Sequence, residues 1–215
     1  MRNQKKDEIE MAARRKLILE TGFRCFSDNG IEAVSMQHIA GACGIGIATL
    51  YRYFNTKLAL VIAIGTLKWE EYGEYAGKLR AKRQADNMTA AEEFSFYLDF
   101  YIDLYQNHKD LLRFNQSFNN YVLSENVTKE QLRSYTDAIS GIAVLFHGIY
   151  EKGKRDGTIR TDQSEDKMFA ATSHIMLAVA VRYAQGLLFS ADYEKDRTDE
   201  YQMLKRLLLK EYVKT

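Results

Sequence analysis

Apolar residues recur at helical spacing along nearly the whole chain, and not one proline interrupts them. Ile9, Ala12, Ala13, Leu17, Leu19, Phe23 and Phe26 form the first such stripe, and Asp28-Asn29-Gly30 stops it, with Gly30 suited to a left-handed helix end. The spacing predicts a helix over 7–29, then short helices over about 36–43 and 46–53, and a long one over 57–80. Further helices are expected near 89–106, 109–123, 128–155, 164–189 and 197–213. Breaks fall at Gln84 to Asn87, Asn107-His108, Ser124 to Val127, Gly157 to Gln163 and Ser190 to Asp196. The expected fold is all-α, with about nine helices. At 215 residues the chain can bury a core large enough to need neither disulfide nor metal.

The two short helices are the most informative part. Ser35 is placed to cap the first, whose Met36, Ile39, Ala40 and Cys43 share one face. Gly44 and Gly46 make a tight turn. In the second helix Leu50 and Phe54 point inward. Ile47, Ala48, Thr49, Tyr51, Arg52 and Tyr53 cannot all be buried on two turns, so several must be displayed, and displayed aromatic and basic groups usually serve binding. Asn55 and Thr56 can cap the following helix at Lys57. Two short helices joined by a glycine turn are the layout of a helix-turn-helix.

Charge gives weaker guidance. Net charge is +1, but residues 1–60 carry nine Lys/Arg against six Asp/Glu, and the remainder 21 against 23. Arg2, Lys5, Lys6, Arg14, Arg15 and Lys16 crowd the start, which suits either phosphate contact or a solvated helix face. Cys25 and Cys43 lack C-x-x-C spacing and fit buried thiols in a reducing compartment. There is no signal-peptide pattern, and the apolar stretch Phe169 to Phe189 is broken by His174 and Arg182. A cytoplasmic protein without membrane contact is expected.

The run Phe26-x-x-x-Gly30, Val34-Ser35-Met36-x-x-Ile39-Ala40, then Cys43-Gly44-Ile45-Gly46-Ile47-Ala48-Thr49-Leu50-Tyr51-Arg52-Tyr53-Phe54-x-x-Lys57-x-x-Leu60 resembles the DNA-binding domain of the TetR family of transcriptional regulators. The likeness covers about residues 9–60. Gly153-x-x-x-Gly157-Thr158-Ile159-Arg160-x-Asp162 resembles, less specifically, the break these proteins carry before their last two helices. Gly46 and Ala48 depart from the commoner polar residue and glycine of the family. Gly46 forgoes a side-chain cap at a cost of a few tenths of a kcal/mol.

The resemblance implies a DNA-binding domain over 1–57 and a helical ligand-binding and dimerisation domain over 58–215. Tyr53, Lys57, Ser35 and Thr49 match positions that hold phosphates. Gln37, Ile47, Ala48, Tyr51 and Arg52 are candidates for reading base edges, Arg52 on guanine and Gln37 on adenine. Tyr51 packing against the first helix, and Arg52 as a plain surface charge, remain the alternatives. The last two helices are expected to make a homodimer that sets two recognition helices roughly 34 Å apart on a near-palindromic operator in double-stranded DNA.

The remainder is rich in aromatic residues, either as core or as the lining of an effector cavity. Trp69, Tyr97, Tyr101, Phe114, Phe118, His147 and Met176 are the lining candidates. No cofactor is expected, and no metal, because His38, His108, His147 and His174 show no metal-site spacing with Cys, Asp or Glu. No nucleophile elbow, phosphate loop or acid pair supports catalysis, so the chain is not expected to be an enzyme. The reading is a repressor released from its operator by a small-molecule effector. An activator or chromosome-organising protein of the same fold is an alternative, as is a helical binding protein or enzyme with a vestigial head.

Overall fold

The computed structural model describes residues 4–186 and 196–214. Among these, nine α-helices follow one another: α1 Gln4–Asn29, α2 Met36–Ala42, α3 Ile47–Tyr53, α4 Lys57–Lys82, α5 Ala90–Asn107, α6 Lys109–Ser124, α7 Arg133–Asp156, α8 Glu165–Ala184 and α9 Thr198–Tyr212. None of the described helices is long and apolar enough to cross a membrane. The end of the helix expected over 164–189, and most of the break at Ser190 to Asp196, lie outside the described residues.

The chain divides into two compact units, one of residues 1–69 with 113–136, the other of 70–112 with 137–215. Helices α4, α6 and α7 each contribute residues to both.

In the first unit α1 ends at Gly30, whose φ of +80° matches the expected left-handed stop. Ser35 caps α2 by accepting a hydrogen bond from the His38 amide at 3.1 Å. Gly44 has φ +65° in the turn between α2 and α3, a conformation that costs any other residue but is free for glycine. Ile18, Phe26, Ile39, Leu50, Leu60 and Phe114 are fully buried here. The Phe23 and Phe114 rings lie 5.5 Å apart, and Phe118 stacks on Tyr135 at 4.3 Å. Ser117 on α6 accepts the Ile31 amide at 2.7 Å, which satisfies the chain as it leaves α1.

In the second unit α5 is the central element, packed on α8 and α9. It starts at a full capping box: Thr89 accepts the Glu92 amide, and Glu92 accepts the Thr89 amide at 2.8 Å. Phe94, Tyr97, Leu98, Tyr101 and Tyr105 are buried along it. Glu93 is buried too, with Arg80 at 2.5 Å and Lys152 beside it. A buried carboxylate needs such partners, because losing one leaves an uncompensated charge.

The segment after α7 explains the second sequence likeness. Gly157 has φ +71°, Arg160 pairs with Asp162 at 2.9 Å, and Ile159 forms an isolated bridge with Val213 at the end of α9. At Gly153 a Cβ would fall 2.2 Å from Cγ1 of Ile159, which is fully buried. Gly153→Ala is therefore expected to destabilise the protein by about 1–3 kcal/mol, despite alanine's better helix propensity. Urea unfolding of the two proteins measures it. An equal or more stable variant contradicts the tight approach.

Candidate nucleic-acid interface

Helix α3 has seven residues, too few to persist alone in water. Leu50 is fully buried and Phe54, just past its end, nearly so. These two side chains hold α3 against the first unit and turn Ala48, Tyr51 and Arg52 outward, all three exposed. Tyr51 is 47% exposed, so it does not pack away against α1. Ile47, Thr49 and Tyr53 are half-buried at the edges of the same face.

Exposed Ser35 and Gln37 stand at the start of α2. A groove of about 590 Å³ brings Ser35, Gln37, Ile47, Tyr51 and Lys57 together, with Glu32, Val34 and Met36 completing its wall. The other four expected contact residues, Ala48, Thr49, Arg52 and Tyr53, sit on α3 outside that groove. The groove joins the start of α2, the face of α3 and the start of α4. Side chains able to hydrogen-bond phosphate and side chains able to touch base edges thus share one surface.

Lys57 is less free than its sequence position suggests. Its Nζ donates to the Glu32 carbonyl at 3.3 Å and lies 5.4 Å from the centre of the Tyr121 ring. Burial lowers its pKa, opposed by the nearby Glu125 and Glu32 carboxylates. To grip a phosphate the ammonium must exchange the carbonyl for the anion. Thr56, rather than Asn55, caps α4, accepting the Ala59 amide at 3.0 Å. Arg15 of α1 lies 5.2 Å from the centre of the Phe54 ring, a contact no local spacing reveals. Cys25 and Cys43 are free thiols, and burial raises the pKa of both, which makes them poor nucleophiles.

Residues 18–64 match the family model for bacterial regulatory proteins of the tetR family. Over that segment the chain is similar to the TetR family of transcriptional regulators. An HTH-type transcriptional regulator of Staphylococcus aureus is 28% identical over 159 residues, which is 74% of this chain and 77% of the relative. Among solved structures, FadR from Bacillus subtilis in complex with stearoyl-CoA is 16% identical with a TM-score of 0.67, covering 90% of this chain and 97% of that one. AibR in complex with isovaleryl coenzyme A and operator DNA is 20% identical with a TM-score of 0.63, covering 91% and 98%. The two structural likenesses carry the fold. The chain is a DNA-binding transcriptional regulator.

The expected effector-lining residues fall in both units. Trp69, Phe114 and Phe118 belong to the first unit and are buried there. Tyr97, Tyr101 and Met176 belong to the second. There the Tyr97 and Tyr101 hydroxyls lie 2.8 Å apart, and Tyr101 donates to Ser173 at 2.9 Å. Met176 follows Ser173 by one turn on α8 and is fully buried. Burial raises the pKa of both tyrosines, so they stay neutral donors. His147 stands apart from these residues: its side chain is 60% exposed and pairs with Glu165 at 3.0 Å. A separate concavity of about 530 Å³ is lined by Leu79, Lys82, Arg83, Phe96, Phe100 and their neighbours, and includes none of the expected lining residues.

Two substitutions separate gripping from reading. Lys57→Ala is expected to weaken binding to all DNA about equally and to reduce the slope of log K against log salt by about 1. Arg52→Ala is expected to weaken the preferred site by about 1–3 kcal/mol while leaving other sequences nearly unchanged. Fluorescence anisotropy over a salt series measures both. No effect from either substitution points to a vestigial head.

Proposed function

We propose that the protein is a homodimeric repressor whose hold on its operator is weakened by a small molecule bound in the second unit. The observation that carries the reading is α3 itself. It is held from beneath by Leu50 and Phe54 and turns a small, aromatic and basic face outward at the edge of a groove that also holds Ser35, Gln37 and Lys57.

The homodimer is supported by α8 and α9. Helix α8 buries only every fourth residue: Met168, Thr172, Met176, Ala180 and Ala184. Its other faces carry Ala171, Ala178 and Val181, and Ile175 is 41% exposed. On α9, Met203 and Leu207 are more than half exposed. An apolar surface of this kind on two consecutive helices suits a second copy of the chain. Twofold pairing would give each operator two recognition helices.

The effector site is assigned to the surroundings of Tyr97, Tyr101, Ser173 and Met176. Aromatic rings with a few convergent hydroxyls suit a largely apolar ligand with one hydrogen-bonding group. FadR and AibR were solved with acyl-coenzyme A thioesters, which makes that class the first to try. Helix α4 runs unbroken from Lys57 into the second unit, and any effect of the ligand on the head would travel along it. The ligand acts by favouring a state that fits DNA less well.

Operator binding with and without an acyl-coenzyme A series is the test. A ligand that binds is expected to lower operator affinity by about 5- to 150-fold. Tyr101→Phe should blunt that response and leave affinity for the operator alone unchanged. A ligand that binds tightly without altering operator affinity overturns the switch.

A further inference from the structure

His147 and Glu151 lie one turn apart on α7, and Glu165 is the first residue of α8. The chain between them turns back so that His147 Nδ1 lies 3.1 and 3.0 Å from the two carboxylate oxygens of Glu165. One ligand atom from each of His147, Glu151 and Glu165 falls within 4.8 Å of the other two. Sequence spacing concealed the group, because Glu165 joins it only through the turn between α7 and α8.

We propose that His147, Glu151 and Glu165 bind a first-row divalent cation, with Zn²⁺ the best fit, and that the ion ties the later turns of α7 to the first turn of α8. The donor set decides the class of ion. An imidazole nitrogen with two carboxylate oxygens suits zinc and its neighbours, whereas calcium and magnesium prefer oxygen alone. Two carboxylates and a neutral imidazole also cancel a double positive charge.

The geometry needs little change. Ligand bonds of about 2.0–2.2 Å in a tetrahedral site put donor atoms roughly 3.4 Å apart. The three donors reach that spacing by side-chain rotation, and His147 is free to rotate because it is largely exposed. Lys154 now pairs with Glu151 at 2.6 Å, with side chains 50% and 38% exposed. Such a surface pair is weak, so a dication displaces the ammonium readily. Three protein ligands leave further coordination positions to water, so the site is open and its ion exchangeable.

The test is a titration of the full chain, first stripped with EDTA, with ZnCl₂ in a calorimeter and with CoCl₂ in a spectrophotometer. One ion is expected per chain, with Co²⁺ d–d bands and no thiolate charge-transfer band. His147→Ala and Glu165→Gln should each weaken binding tenfold or more, since losing even an outer-shell partner costs about 10–100-fold. His147 is largely exposed and Glu165 partly so, and unchanged circular dichroism confirms that the variants fold. Cys25→Ser combined with Cys43→Ser should leave binding intact. The proposal is overturned if the wild type takes up neither ion, if His147→Ala binds as the wild type does, or if the double cysteine variant is the one that loses binding.

Discussion

The burial of Leu50 and Phe54 is the contact on which the DNA-facing surface depends. A helix of seven residues has too few internal hydrogen bonds to offset its nucleation cost, so its shape is borrowed from what it packs against. Once those two side chains are fixed in the first unit, helical geometry dictates the rest. Ala48, Tyr51 and Arg52 must face out, and the Gly44 turn sets where that face lies relative to Ser35 and Gln37. The exposed chemistry is a consequence of the buried chemistry. A substitution at Leu50 would disturb DNA binding without touching DNA.

This dependence also explains what could be read before the structure. Helix existence followed from apolar spacing, and the end of α1 followed from Gly30, because stripes and caps are local signals. The start of α7 did not. Thr128 and Gln131 form a local box that imitates a helix start, and Asn126 has φ +51°, yet the helix begins at Arg133. The exposed face of α3 was legible because its residues lie within a gap-free run. Contacts between distant segments were not. Lys57 resting on Tyr121 and Glu93 held between Arg80 and Lys152 join residues far apart in sequence. The aromatic residues picked as one cavity lining divide between two cores for the same reason, since composition cannot say which core a ring joins.

In the second unit the polar groups are as telling as the apolar ones. The buried Glu93 carboxylate fixes the end of α4, the start of α5 and α7 by charge, while the tyrosine hydroxyls on α5 meet Ser173 on α8. The first arrangement is costly to break and so rigid. The second consists of neutral hydroxyls that can exchange one partner for another. Gly153 and Ile159 then clamp the turn that leads into α8.

The central claim is that paired copies of α3 read DNA. Selection of bound sequences from a random duplex pool by the intact protein tests it most directly. The account predicts an enriched inverted repeat whose half-sites lie in successive major grooves, about one helical turn or roughly 34 Å apart. Recovery of a single unpaired half-site, or of no preferred sequence at all, would contradict it.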